Sequence, residues 1–155
     1  MMASMRKPTV FISYSHRDEE WKELLVRHLG VILDRATVEV WDDIRIPAGS
    51  RWEQELRDAM NQARVAVLLI SANYLSSDYV RQVEVPELLN RSQNDGLILL
   101  PILVRPCAWK TVQWLAEREV LPGQGRALSG GDPPQIDSDL AHIAEKVHEH
   151  LLVAA

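Results

Sequence analysis

Six consecutive apolar residues, Val65-Ala66-Val67-Leu68-Leu69-Ile70, leave this chain few folds to choose from. A strand with one wet face alternates apolar and polar side chains. An unbroken run needs cover on both faces, as in a parallel sheet sandwiched between helices. Leu97 to Val104 is a second largely apolar run, and Thr9-Val10-Phe11-Ile12-Ser13-Tyr14 a third strand-like segment that gives way at once to polar Ser15-His16-Arg17-Asp18.

Between these runs the period changes to that of a helix. Trp21, Leu24, Leu25, Leu29, Ile32 and Leu33 recur at three and four, behind Asp18, Glu19 and Glu20, acids that a helix dipole favours at its start. Thr37 to Trp41 alternates and ends in Asp42-Asp43, after which Ile44-Arg45-Ile46-Pro47-Ala48-Gly49 is loop chemistry. Ser50-Arg51-Trp52-Glu53 has the form of a capping box, with Trp52, Leu56, Ala59 and Met60 forming one apolar face behind it. Beyond Ser71 a helical stretch carries Tyr79, Val80, Val83, Leu88 and Leu89 and is interrupted at Pro86. From Arg105 to Pro134 the pattern predicts a short helix around Trp109, Val112, Trp114 and Leu115. Loops are marked by Pro122, Gly123, Gly125, Gly130, Gly131, Pro133 and Pro134. Asp137 or Ser138 is the expected cap of a last helix bearing Leu140, Ile143, Ala144, Val147, Leu151 and Leu152. The alternation predicts an α/β fold: a flavodoxin-like three-layer sandwich whose central parallel sheet has about five strands, flanked by helices.

With 155 residues, 46% hydrophobic and 25% charged, the composition is that of one globular domain, placed at 8–152 with residues 1–7 as a disordered start or cloning remnant. A net charge of −5 disfavours a sequence-independent grip on nucleic acid. The single Cys107 cannot form an internal disulfide, no apolar run is long enough for a membrane span, and Met1 to Met5 lack a secretory core, so the expected compartment is the cytoplasm.

In an open parallel sheet, functional groups gather where the carboxyl ends of the strands leave a crevice. Those ends supply Ser13, Tyr14, Ser15 and His16; then Asp42, Asp43 and Arg45; then Ser71, Asn73 and Tyr74, with Glu84 on the following helix. Gly-x-Gly-x-x-Gly, Walker and Gly-x-Ser-x-Gly patterns are absent, and Cys107 has no nearby histidine to form a nucleophile pair. His142, His148 and His150 lie on the last helix outside its Leu and Val face and read as solvated surface groups, with no metal expected.

Phe11-Ile12-Ser13-Tyr14-Ser15 with Asp18 resembles the opening motif of Toll/interleukin-1 receptor (TIR) domains, here of the bacterial type. Trp41-Asp42-Asp43 with Ile46, Pro47, Gly49 and Trp52 resembles their second strand and BB loop. Ser71-Ala72-Asn73-Tyr74-Leu75 with Ser77 and Glu84 resembles the third motif. Pro101-Ile102-Leu103, Trp109 and Leu121-Pro122 are similar to bacterial members, and the likeness runs over roughly residues 8–152.

The resemblance implies one of two roles. The first is an NAD+ glycohydrolase or cyclase, an effector of bacterial immunity or a toxin, active as a self-assembled oligomer. It would take NAD+ as substrate and need no cofactor. The second is a non-enzymatic module that recruits other TIR domains through the BB loop residues Ile44, Arg45, Ile46, Pro47 and Gly49. Cleavage of a related nucleotide or nucleic acid is a third reading, which the acidic charge disfavours. No membrane or direct nucleic-acid partner is expected.

The catalytic position implied is Glu84, since a carboxylate beside the ribose stabilises an oxocarbenium-like state. On composition alone Glu84 is a solvent-facing helical acid. Its separation from Ser77 is one residue longer than the receptor form, which makes Glu87 the alternative carboxylate. Tyr14, Tyr74 and Tyr79 are substrate-side candidates, the latter two as stacking surfaces, against the plainer role of core aromatics. Trp52 either walls the cleft or packs. Asp42 and Asp43 orient the loop or ribose, or simply end a strand in solvent. Arg45 and Arg51 would meet the pyrophosphate, and Ser13 and Ser71 donate to substrate or cap turns.

Overall fold

The computed structural model of the chain describes residues 9–42 and 51–153. Four strands, β1 (Thr9–Tyr14), β2 (Val38–Asp42), β3 (Ala63–Ile70) and β4 (Ile98–Leu103), form a wholly parallel sheet in the order β2-β1-β3-β4. Its helices are α1 (Glu19–Leu29), α2 (Arg51–Gln62), α3 (Ala72–Leu75), α4 (Val85–Asn94), α5 (Gln113–Ala116) and α6 (Pro133–Val153). The run that most constrained the fold, Val65–Ile70, is central and buried throughout.

Strand alternation divides the core. Val10, Ile12 and Tyr14 of β1 pack with Trp21, Leu25 and Leu29 of α1 and with Leu140, Ile143 and Val147 of α6. On the other face Phe11, Ala66, Leu68 and Ile70 meet Leu56 and Met60 of α2, Tyr74 of α3 and Leu88 of α4. Each large apolar side chain so enclosed contributes about 1.5–3 kcal/mol, and the two layers make the expected three-layer sandwich.

The sheet has four strands among the described residues where about five were expected. The fifth place holds one parallel bridge, Ile102 to Leu121, in which Leu121 N–H donates to Pro101 O at 3.0 Å and Leu103 N–H donates to Leu121 O at 2.8 Å. Pro101 has no N–H to add on that side, and Pro122 follows Leu121, so the ladder stops at a single residue.

Two helix boundaries also differ. The last helix starts at Pro133, ahead of the expected cap at Asp137 or Ser138. Asp132 Oδ1 accepts from the Gln135 N–H at 2.9 Å, and Pro133 and Pro134 occupy first-turn positions whose missing N–H groups had no helical acceptor. Pro86 lies near the start of α4 and closes no helix there; a π turn, Val80–Glu84, runs into α4 just before it. Within that turn Val85 N–H reaches back five residues to Val80 O, and Pro86 has no N–H with which to restore the four-residue register at Gln82 O. The expected loop Ile44–Gly49, the Ser50 cap, Asp43 and the side chains of Arg51 and Trp52 lie outside the described residues. No described helix is long and apolar enough to cross a membrane.

Candidate active site

Strand order places β1 and β3 side by side while their connections leave toward different parts of the sheet. Such a switch point opens a crevice beyond the carboxyl ends of the strands. Ser13, one residue before the end of β1, is on the face shared with Phe11, and the pleat directs the last residue, Tyr14, to the opposite face. Ser13 is therefore on the side of α3 and α4. Tyr14 packs against α1, where the Lys22 ammonium lies 5.6 Å from its ring centroid, and the structure does not bring it to Glu84.

Ser13 Oγ donates to Glu84 Oε1 at 2.6 Å and lies 2.7 Å from Tyr74 Oη. A serine hydroxyl has one hydrogen, so with that proton on Glu84 the Tyr74 phenol is the donor to Ser13. All three groups are buried: Glu84 is 1% exposed, and Ser13 and Tyr74 are fully enclosed. An enclosed carboxylate is costly unless hydrogen-bonded, and the serine bond offsets part of that cost. The helical acid that composition would place in solvent thus faces inward. Glu87, the alternative, is half-buried on α4 and pairs with Arg91 at 3.0 Å, one turn along the same helix.

Ser77 starts the segment that presents Glu84, its Oγ accepting from Val80 N–H at 3.4 Å. The π turn widens the helix by one residue between Val80 and Val85, so that both valines are buried with Glu84 between them. Tyr79, immediately before this turn, is half-buried. Burial first, then the carboxylates of Glu84 and Glu53, push its phenol up to about 12, so it is an O–H donor at neutral pH. A groove of about 310 Å³ lined by Glu53, Leu56, Met60, Val83, Pro86 and Glu87, among others, runs between α2 and α4 beside this turn.

Ser71 caps α3, accepting from Tyr74 N–H at 3.1 Å, and gives its own proton to Asp18 Oδ2 at 2.5 Å. Asp18, fully buried, also accepts from Asn73 Nδ2 at 3.3 Å and Arg105 Nε at 3.0 Å. Arg105 in turn bonds Glu20 at 2.7 Å. Asp18 was legible as a helix-start acid and as a member of the opening motif, but not its bonds, and Arg105 carried no signal at all, because these partners lie 53, 55 and 87 residues apart. His142 and His148 are exposed and His150 half-buried, as expected of that helix face.

A family model described as TIR domain matches residues 10–127. A Sinorhizobium fredii (strain NBRC 101917 / NGR234) relative named "Uncharacterized protein y4lF" is 30% identical over 142 residues, which is 92% of this chain and 43% of that protein. The chain therefore spans less than half the length of the curated relative it matches. Among solved structures it is similar to the TIR domain of the Toll-related receptor TRR-2 from Hydra magnipapillata, at 21% identity and a TM-score of 0.41 over 66% of this chain and 78% of that one. It is also similar to the TIR domains of the activated Roq1 resistosome, which directly recognizes the pathogen effector XopQ, at 21% identity and 0.49 over 89% and 84%. With its first and third motifs in place on a parallel sheet and the family model spanning most of its length, the chain belongs to the TIR domain family.

Proposed function

We propose that this TIR domain is an NAD+ nucleosidase, cleaving the nicotinamide–ribose bond with Glu84 as the catalytic carboxylate. The observation that carries the reading is the buried Glu84 side chain held by Ser13 at 2.6 Å beside the switch point of the sheet.

The chemistry suits a single carboxylate. As the C–N bond breaks, its electron pair goes to the pyridinium nitrogen and nicotinamide leaves neutral, so the leaving group needs no general acid and no metal. Positive charge develops on the ribose, and a fixed carboxylate stabilises it. Water then attacks the anomeric carbon and releases a proton, giving ADP-ribose; attack by the adenine ring gives a cyclic isomer instead. Tyr79 presents a protonated phenol and an aromatic face next to Glu84, suited to holding the nicotinamide or adjacent ribose. Asp43, Arg45 and Trp52 complete the substrate side in this reading.

Glu84 is 1% exposed, so NAD+ reaches it only when the groups covering it part. Self-association through Ile44–Gly49 is the proposed trigger, in keeping with a cytoplasmic effector of bacterial immunity or a toxin that stays silent as a lone copy. Neither membrane nor nucleic acid enters this scheme.

Incubating the purified chain with NAD+ over a range of protein concentrations, with nicotinamide followed by chromatography, tests the reading. Release that rises more than proportionally with protein and falls about 100-fold or more in Glu84→Gln is expected. Equal release by the variant would remove Glu84 from the mechanism. Self-association without any release would leave an interaction module alone.

A further inference from the structure

A continuous set of hydrogen bonds connects Glu84 to a second buried carboxylate, Asp18. From Glu84 Oε1 it passes to Ser13 Oγ at 2.6 Å and to Tyr74 Oη at 2.7 Å. Tyr74 is held at its other end too, its backbone N–H donating to Ser71 Oγ at 3.1 Å, and Ser71 donates to Asp18 Oδ2 at 2.5 Å. Arg105 Nε closes on Asp18 Oδ1 at 3.0 Å. We infer that Asp18, held by Arg105, is a positioning residue for Glu84, acting through Ser71 and Tyr74.

The direction of each bond supports this. Ser71 has one proton, and giving it to Asp18 leaves its oxygen lone pairs for the Tyr74 N–H, so Asp18 fixes the rotamer that caps α3. The α3 cap sets where the Tyr74 ring enters the core, and a fully buried ring cannot swing to compensate. Tyr74 Oη then decides which lone pair of Ser13 is occupied and hence where the Ser13 proton points. Asp18 itself is over-determined, with donors from Ser71, Asn73 and Arg105, the last with 44% of its side chain exposed. Three donors on a fully buried carboxylate exceed what a helix-start acid needs, since its dipole role requires no burial.

The inference rests on Glu84 being the reacting carboxylate, and its test therefore includes a readout independent of turnover. The Tyr74 hydroxyl proton, buried and hydrogen-bonded, exchanges slowly enough to be sought by proton NMR, and the chain has only 3 tyrosines, so single Tyr→Phe variants assign it. Asp18→Ala, Asp18→Asn and Arg105→Gln are compared with the wild-type chain for that resonance and for kcat and KM in NAD+ cleavage.

Displacement of the Tyr74 resonance is expected in all three. In Asp18→Ala kcat falls by about 10- to 100-fold while KM stays within about threefold, because geometry is lost more than binding. Asp18→Asn, which keeps one acceptor for Ser71, lies between that variant and wild type. Should the Asp18 variants fail to fold, Arg105→Gln decides the matter, its side chain being half exposed. An unmoved resonance with unchanged kcat in a folded variant overturns the inference. A wild-type chain without turnover would sink the enzymatic reading, and the resonance alone would still show whether Asp18 sets Tyr74.

Discussion

Ser13 Oγ donates to Glu84 Oε1 across 2.6 Å although 71 residues separate the two along the chain. Ser13→Ala removes this bond and the one to Tyr74 from a buried setting. Unfolding in urea should show a loss of about 1–3 kcal/mol. A change below about 0.5 kcal/mol, the range of ordinary surface substitutions, would mean that the bond is not formed in solution.

Glu84→Gln keeps an oxygen that can accept from Ser13. Its unfolding free energy in urea should stay within about 1 kcal/mol of wild type while NAD+ cleavage falls about 100-fold or more. Unfolding of the variant at room temperature would show that the charge at Glu84 is structural.

Tyr74→Phe and Tyr74→Ala separate the hydroxyl from the ring. Losing the hydroxyl should cost about 1 kcal/mol, whereas losing the ring from a fully enclosed site should cost about 3–5 kcal/mol. Equal costs in the two variants would contradict a tightly packed ring.

Tyr79 links stability to alkaline pH. Its phenol is raised from 10.0 to about 12 in the folded chain, chiefly by burial and then by Glu84 and Glu53, so the folded state holds the proton more tightly than the unfolded one. The resulting stabilisation is fully present below pH 10.0 and disappears as pH rises through about 12. Wild type should lose stability faster than Tyr79→Phe over that window, and parallel denaturation curves for the two would refute the assignment.

Deleting Gln82, exposed within the π turn, should leave an ordinary helix in which Val80 and Val85 come four apart and both remain inward. The shortened chain should fold and keep NAD+ cleavage within about tenfold of wild type. Loss of turnover beyond about 100-fold with the fold intact would show that the π turn itself is needed to aim Glu84.

Which parts of this molecule could be read in advance follows from the reach of each signal. Burial on both faces writes a contiguous run, and Val65–Ile70 announced β3 without help from anything distant. Helix α1 was visible for the same reason, since Trp21, Leu25 and Leu29 repeat locally. Pro133 and Pro134 read as loop markers because proline breaks a helix interior, yet in a first turn their missing N–H groups cost nothing, and Asp132 ahead of them was the available correction. The shortfall at the fifth strand turned on a missing N–H at Pro101, visible in the sequence only once its side of the strand is known. The site divides similarly. Ser13, Tyr74 and Glu84 were named from motif positions and do meet, whereas Tyr14, adjacent to Ser13, is sent to the other face by the pleat. Asp18 was marked by its motif position, but its bonds to Ser71, Asn73 and Arg105 are long-range contacts that no local pattern encodes, and Arg105 had no local mark at all.

The π turn at Val80–Glu84 changes how this helix should be compared with its relatives. A motif that counts residues from Ser77 treats one insertion as a shift of the carboxylate onto a different side of the helix. Here two inward-facing valines act as the ruler, and slack of one residue is taken up between them. In this chain the acid is therefore placed by the second anchored valine, Val85, which follows it directly, and not by its distance from the serine.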